Sequence, residues 1–214
     1  MPELFEPPRY IAIEGPIRVG KSTLAQILAE RMGARRLLEP DANPFLEDFY
    51  AGKPGAAFRT QMHFLCQRYK QMHGQHTRRP LDPIVADYIF EKDKIFAYVN
   101  LNDGELAVYN QYYDLFRPEV GTPDLVIYLQ ASPEVLKERV AKKNLPAEQQ
   151  LSDEYIEEVV KAYDHFFFHY SLSDLLVINT SEIDFVERSA DLQELLRRLA
   201  EPVRGTQFFL PLGE

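Results

Sequence analysis

Residues 15–23 read GPIRVGKST. Gly15, Gly20, Lys21 and Ser22 satisfy the spacing G-x-x-x-x-G-K-[ST], which suits one job. Glycines let the backbone curl until successive N–H groups face a single anion, and a helix that opens at the lysine adds its positive end. The expected cradle runs through Gly15, Pro16, Ile17, Arg18, Val19, Gly20, Lys21, Ser22 and Thr23. Lys21 would neutralise the outer phosphates, and the Ser22 hydroxyl suits Mg²⁺. A Gly-rich turn with no ligand is the plain alternative. The apolar run before the loop and the helical pattern after it argue against that alternative. A phosphate loop by itself serves kinases, GTPase switches and ATPases alike.

Two carboxylates close predicted strands. Glu39 follows RLL and precedes Pro40, and Asp87 ends PIVAD. An acid beside a phosphate loop can accept a proton from an attacking hydroxyl, and an acid after an apolar strand can share Mg²⁺ with Ser22. A solvated loop acid and a helix N-cap are the corresponding ordinary roles. Phe58, Met62, Leu65, Tyr69 and Met72 recur at helical spacing and form a core stripe. Gln61 and Arg68 lie seven apart beside it, with Phe64 between them. An amide and a guanidinium flanking an aromatic can read a planar heterocycle. The same spacing equally fits a solvated helix edge.

The elements that must hold these residues alternate. Strands are expected at 10–14, 36–39, 83–87, 125–130 and 175–179. Helices are expected at 21–32, 56–73, 89–117 with a break near Asn102–Gly104, 133–143, 153–170 and 189–200. Apolar strands alternating with helices imply a parallel sheet covered on both faces. Ligands then gather at the carboxyl ends of the strands, where Glu39 and Asp87 stand. The fold expected is α/β, a five-stranded parallel sheet flanked by helices. At 214 residues it reads as one domain over 1–214.

A net charge of −9 argues against a nucleic-acid partner. No apolar run reaches the roughly 18 residues of a membrane span. The single Cys66 and a start without a basic-flanked apolar core lead to the expectation of a cytoplasmic protein. His63, His73 and His76 lack metal-ligand spacing with any Cys or acid partner. FFFHY at 166–170 reads as a buried or dimer-facing helix end.

Together the GKS loop, the Glu39-Pro40 pair, the spacing Tyr50-x₁₀-Gln61-x₆-Arg68 and the IDF at 183–185 resemble the deoxynucleoside kinases. The likeness is strongest to the bacterial deoxyadenosine/deoxyguanosine kinases and their deoxycytidine kinase relatives. The resemblance covers nearly the whole chain. It implies a P-loop kinase fold with a short basic lid at roughly 139–152, using ATP and Mg²⁺ and acting as a homodimer. It further implies that Glu39 is the general base for a 5′-hydroxyl and that Gln61, Arg68 and Asp93 recognise the base. Tyr50 and Glu148 would contact the 3′-hydroxyl. Phe96, with Phe64, would pack on the base. Arg139 and Lys142 or Lys143 would close over the transferring phosphoryl, and Asp184 and Phe185 in TSEIDF would lie at the adenine. Thymidine-preferring relatives generally lack the Arg–Asp pair, so the resemblance points to adenine, guanine or cytosine, and the likeness to bacterial motifs favours deoxyadenosine or deoxyguanosine, with deoxycytidine also admitted.

Three positions depart from that pattern. The family usually carries Asp-Arg-Ser or Glu-Arg-Ser where this chain has Asp87-Tyr88-Ile89, so the arginine that steadies the 5′-oxygen and the base carboxylate is missing. Arg68 or a lid cation is the expected substitute. The lid has Leu145 where a second arginine often falls. Arg18 stands where relatives usually carry Gly or Ala. A thymidylate-type monophosphate kinase is the competing reading, but it would need an arginine cluster for the acceptor phosphate, and Glu39 would repel that phosphate. A GTPase switch would need N-K-x-D after a strand, where this chain has NTSEID.

Overall fold

The computed structural model describes residues 7–40, 42–73, 82–144 and 151–211. In chain order the elements are β1 (Tyr10–Glu14), α1 (Lys21–Met32), β2 (Arg35–Leu37), α2 (Leu46–Tyr50), α3 (Ala56–Met72), β3 (Ile84–Ala86), α4 (Lys92–Asn100) and α5 (Asp103–Phe116). A 3₁₀ turn over Arg117–Glu119 leads to β4 (Leu125–Gln130), α6 (Pro133–Lys143), α7 (Asp153–Phe168), β5 (Asp174–Asn179), α8 (Ser189–Leu199) and β6 (Thr206–Phe209). The sheet order is β2-β3-β1-β4-β5-β6, with each neighbouring pair parallel.

β1 is central, and Ile11 lies opposite both Val85 of β3 and Leu125 of β4. Its side chains alternate between two cores. Tyr10 and Ala12 join Leu65, Tyr109 and Tyr163 on the face covered by α3, α4, α5 and α7. Ile11 and Ile13 join Leu24, Leu28 and Leu195 on the face covered by α1 and α8. Both faces of the strands are therefore dry, which explains their near-continuous apolar sequence.

The sheet has six strands, not the five expected. β6 follows Gly205, which sits at φ +62, and its residues are alternately exposed and half-buried. An edge strand with one wet face lacks the solid apolar run that marks the inner strands. The five-residue α2 buries no side chain and has no apolar stripe to announce it. The helical stretch expected over 89–117 breaks at Leu101–Asn102, beside the break expected near Asn102–Gly104. Leu101 is extended at the junction, and α5 restarts on a capping box in which Asn102 accepts from the Glu105 N–H and Glu105 accepts from the Asn102 N–H. Residues 145–150 of the expected lid lie outside the described residues, with Leu145 and Glu148 among them, as does His76.

Candidate functional site

A cleft of about 1110 Å³ opens at the carboxyl edge of the sheet, between the phosphate loop, the end of β2 and helices α3 and α4. Gly15 and Gly20 shape its floor. Gly15 has φ +148, and a Cβ there would fall 2.3 Å from the Leu129 carbonyl oxygen. Gly20 has φ +105, and a Cβ there would fall 2.5 Å from Cζ of Phe185. The loop therefore tolerates no side chain at either position, and Phe185 of the TSEIDF segment packs directly on the phosphate loop. Gly20 caps α1 without a side-chain hydrogen bond, which leaves the first N–H groups of the helix for an anion.

Lys21 curls back, its Nζ donating to the carbonyls of Gly15 at 2.7 Å and Pro16 at 2.8 Å. Burial, with Lys92 nearby, lowers its pKa to about 8. Ser22 Oγ donates to Asp87 Oδ2 at 2.7 Å, while Asp87 Oδ1 accepts the Glu39 N–H at 2.7 Å. One carboxylate thus ties the loop to the end of β2. A hydroxyl and a carboxylate side by side form a hard-oxygen pair, which suits Mg²⁺ completed by water and phosphate oxygens. Among the described residues there is no cluster of three His, Cys, Asp or Glu that could hold a metal without such help.

The other side of the cleft is a chain of closely paired charges. Glu39 Oε1 accepts from Arg68 Nη2 at 2.6 Å, and Glu39 Oε2 accepts from Lys92 Nζ at 2.5 Å. Burial alone would raise the Glu39 carboxyl, but Lys92 and Arg68 outweigh it and hold it at about 2. Arg68 also pairs with Asp93, which accepts from Gln61 as well, and from the Tyr109 hydroxyl at 3.3 Å. Burial pushes the Asp93 carboxyl up while Arg68 and its other donors pull it back. With three donors on its two oxygens, we take the pair as ionised. Arg68 is held well above its ordinary range, because Asp93 and Glu39 overcome the cost of burying it.

Helix periodicity explains the gathering. Gln61, Phe64 and Arg68 share one face of α3, and the Arg68 guanidinium lies 4.9 Å from the Phe64 ring centroid. Lys92 and Phe96 are one turn apart on α4, with Lys92 Nζ 5.7 Å from the Phe96 centroid. Both rings line the cleft, as does Tyr50 from α2. The expected base-reading and sugar-facing residues therefore converge, apart from Glu148, which is not described.

The cations expected on the lid sit differently from one another. Arg139 is half-buried and donates to the carbonyls of Thr180 at 2.8 Å and Ile183 at 3.0 Å, so it fastens α6 to the TSEIDF loop. Lys143 is exposed at the rim of the cleft. Asp184 accepts from the N–H groups of Val186 and Glu187 and donates its own N–H to Asp191, which stiffens that loop. Arg18 lines the cleft with φ +59, in the left-handed region that favours glycine.

Two residues escaped the sequence reading. Lys92 supplies the second cation on Glu39, which the sequence had left to Arg68 or the lid. It opens the helix after the strand, four residues beyond Tyr88, the position of the missing arginine. Glu14 ends β1 with no exposure and accepts from the N–H groups of Gly15 at 2.9 Å and Ile89 at 3.2 Å, and from the Tyr163 hydroxyl at 3.1 Å. Burial raises its pKa. A carboxylate closing an otherwise apolar strand was the available signal for it.

Comparison with known proteins agrees with this geometry. A family model described as deoxynucleoside kinase matches residues 11–204. A deoxyguanosine kinase of Bacillus subtilis is 32% identical over 199 residues, covering 90% of this chain and 96% of that protein. A deoxyadenosine/deoxycytidine kinase of the same organism is 29% identical over 206 residues, covering 92% and 94%. A solved structure of deoxyadenosine kinase from M. mycoides with bound dATP superposes with a TM-score of 0.76 at 26% identity, covering 89% of this chain and 99% of that one.

Proposed function

The chain belongs to the deoxynucleoside kinase family, and from that premise we propose how its residues divide the transfer of a phosphoryl group from ATP to a deoxynucleoside 5′-hydroxyl. The observation that carries the proposal is Glu39, a half-buried carboxylate pinned by two cations, its N–H tied to Asp87 beside the phosphate loop and its side chain to Arg68 of the Gln61–Arg68–Asp93 cluster.

The donor phosphates take the N–H groups of residues 15–23, and Lys21 exchanges its two loop carbonyls for phosphate oxygens. Ser22 and Asp87 would hold Mg²⁺, which would draw charge off the donor phosphates. Arg139 and Lys143 approach from α6, and Asp184 and Phe185 border the adenine. On the other side Phe64 and Phe96 wall the base, and Gln61, Arg68 and Asp93 read its edge. Arg68 Nε is buried without a protein partner. Such an orphan donor costs about 1–3 kcal/mol, which a base acceptor would offset. Tyr50 faces the 3′-hydroxyl, and Glu148 joins it.

At a pKa of about 2, Glu39 is ionised throughout the working range and is a weak base. That matches a loose transition state, in which the hydroxyl proton leaves late and positioning matters more than early deprotonation. Glu39 aims the hydroxyl and takes its proton once the new P–O bond has made it acidic.

We favour deoxyadenosine and deoxyguanosine, with deoxycytidine admitted. The Arg68–Asp93 pair and the deoxyguanosine and deoxyadenosine/deoxycytidine kinases among its relatives support this. A homodimer, a single domain with its lid over 139–152, and a cytoplasmic setting belong to the same proposal. A lone thiol and ATP as donor fit that setting. Turnover of the four deoxynucleosides with ATP and Mg²⁺ tests the substrate, with purines expected to lead. A strong preference for thymidine overturns the base assignment. Faster turnover of dAMP or dTMP than of any deoxynucleoside replaces it with a monophosphate kinase.

A further inference from the structure

We propose that Lys92 is a catalytic cation of this enzyme, contacting the 5′-oxygen and the phosphoryl group as it crosses from donor to acceptor. The inference rests on the kinase reading above and extends it.

Its position is the first argument. Lys92 Nζ lies 2.5 Å from Glu39 Oε2, on the oxygen opposite the one held by Arg68. It is close enough to Lys21 to depress the charge there, and Glu14 and Glu39 both act on it. It lines the cleft. Lys92 therefore shares the cleft with the donor lysine and is paired directly with the acceptor carboxylate.

Its cost is the second argument. Lys92 is only 6% exposed and is the first residue of α4, where the helix presents its positive end. Burial and the helix dipole both oppose a cation there. A charge kept against both terms is matched instead to the carboxylates of Glu39 and Glu14 and to the anionic group that would arrive. Tyr88, where the family pattern places an arginine, is fully buried and turns its hydroxyl to Gln71, away from this duty.

In the step itself, the 5′-oxygen forms a bond to the γ-phosphorus and its proton passes to Glu39. The bond from that phosphorus to the bridging oxygen breaks, and its electron pair leaves with ADP. Lys92 keeps its proton and follows the charge, bonded to Glu39 before transfer and to the equatorial oxygens during it. No further reactant is needed.

The test is single-turnover phosphoryl transfer in Lys92→Met, which keeps the stem and removes the charge, beside Lys92→Arg and the unaltered protein. The expected loss in Lys92→Met is about 100- to 1000-fold in the transfer rate. Deoxynucleoside affinity by calorimetry should stay within roughly threefold, and Lys92→Arg should regain about a tenth or more of the rate. A transfer rate within about threefold of the unaltered protein, or a loss confined to KM, overturns the proposal and leaves Lys92 a counter-ion for Glu39. Where Lys92→Met shows no cooperative melt, Lys92→Gln takes its place under the same criteria. Failure of the unaltered protein to phosphorylate any deoxynucleoside is a separate result, which overturns the kinase reading itself.

Discussion

At the scale of single residues, the site is governed by how charges are paired. Glu39 is the anion on which Arg68 and Lys92 both depend. Glu39→Gln should lower kcat by about 10²- to 10⁴-fold, read in steady-state turnover. It should also lower the melting temperature, because two buried cations lose part of their compensation. Glu39 carries a depressed pKa, so its share of stability is present above the ordinary carboxylate range and fades as pH falls toward about 2. No acidic limb between pH 5 and 8 should therefore trace to it. Lys21 behaves in the opposite sense. Its pKa of about 8 means that the free enzyme loses this charge as pH rises through that value. The expected outcome is a fall in kcat/KM for ATP above pH 8, approaching tenfold per unit, while deoxynucleoside binding stays level. A flat profile to pH 9.5 would show that the lysine stays charged. Arg18 holds a left-handed conformation that costs about 1 kcal/mol outside glycine.

At the scale of elements, the strand ends were legible and the helix faces only partly so. Glu39 and Asp87 could be found because they follow apolar runs, and a parallel sheet assembles its site at that edge. Gln61, Phe64 and Arg68 could be placed on one face of α3 from spacing, but whether that face met solvent or ligand was open until α4 was seen packed beside it. Lys92 was not legible. Its nearness to Glu39 comes from β2 lying next to β3, a neighbour relation that no spacing along the chain encodes. The same holds for Arg139, whose bonds to Thr180 and Ile183 depend on where α6 meets the loop after β5. At the phosphate loop, Gly20→Ala forces a Cβ toward the Phe185 ring at a φ of +105. It should abolish measurable ATP binding by calorimetry at micromolar protein while the sheet, seen by circular dichroism, persists. ATP binding with unchanged affinity would mean that the ring moves aside freely.

At the scale of the whole molecule, the inner strands are dry on both faces, and α5 carries an exposed apolar stripe. Val108, Tyr112 and Leu115 recur at helical spacing along α5 and are exposed, and Tyr98 on α4 is exposed as well. A homodimer that covers this stripe predicts a mass by light scattering near twice 24.8 kDa. In the double variant Tyr112→Lys, Leu115→Glu the mass should fall to that of one chain. A monomeric unaltered protein would set the homodimer aside. Phe167 is buried whereas Phe168 is 84% exposed, so the FFFHY segment is divided between core and surface and is not wholly buried. The contact between Phe185 and Gly20 has one more consequence. The circulating π electrons of that ring must displace the magnetic resonance of the Gly20 protons, while the ring belongs to the segment proposed to border the adenine. A single glycine signal in a proton–nitrogen spectrum would then report on both ends of the donor nucleotide at once. It would shift when a phosphate enters the loop, and shift differently when a base arrives with it.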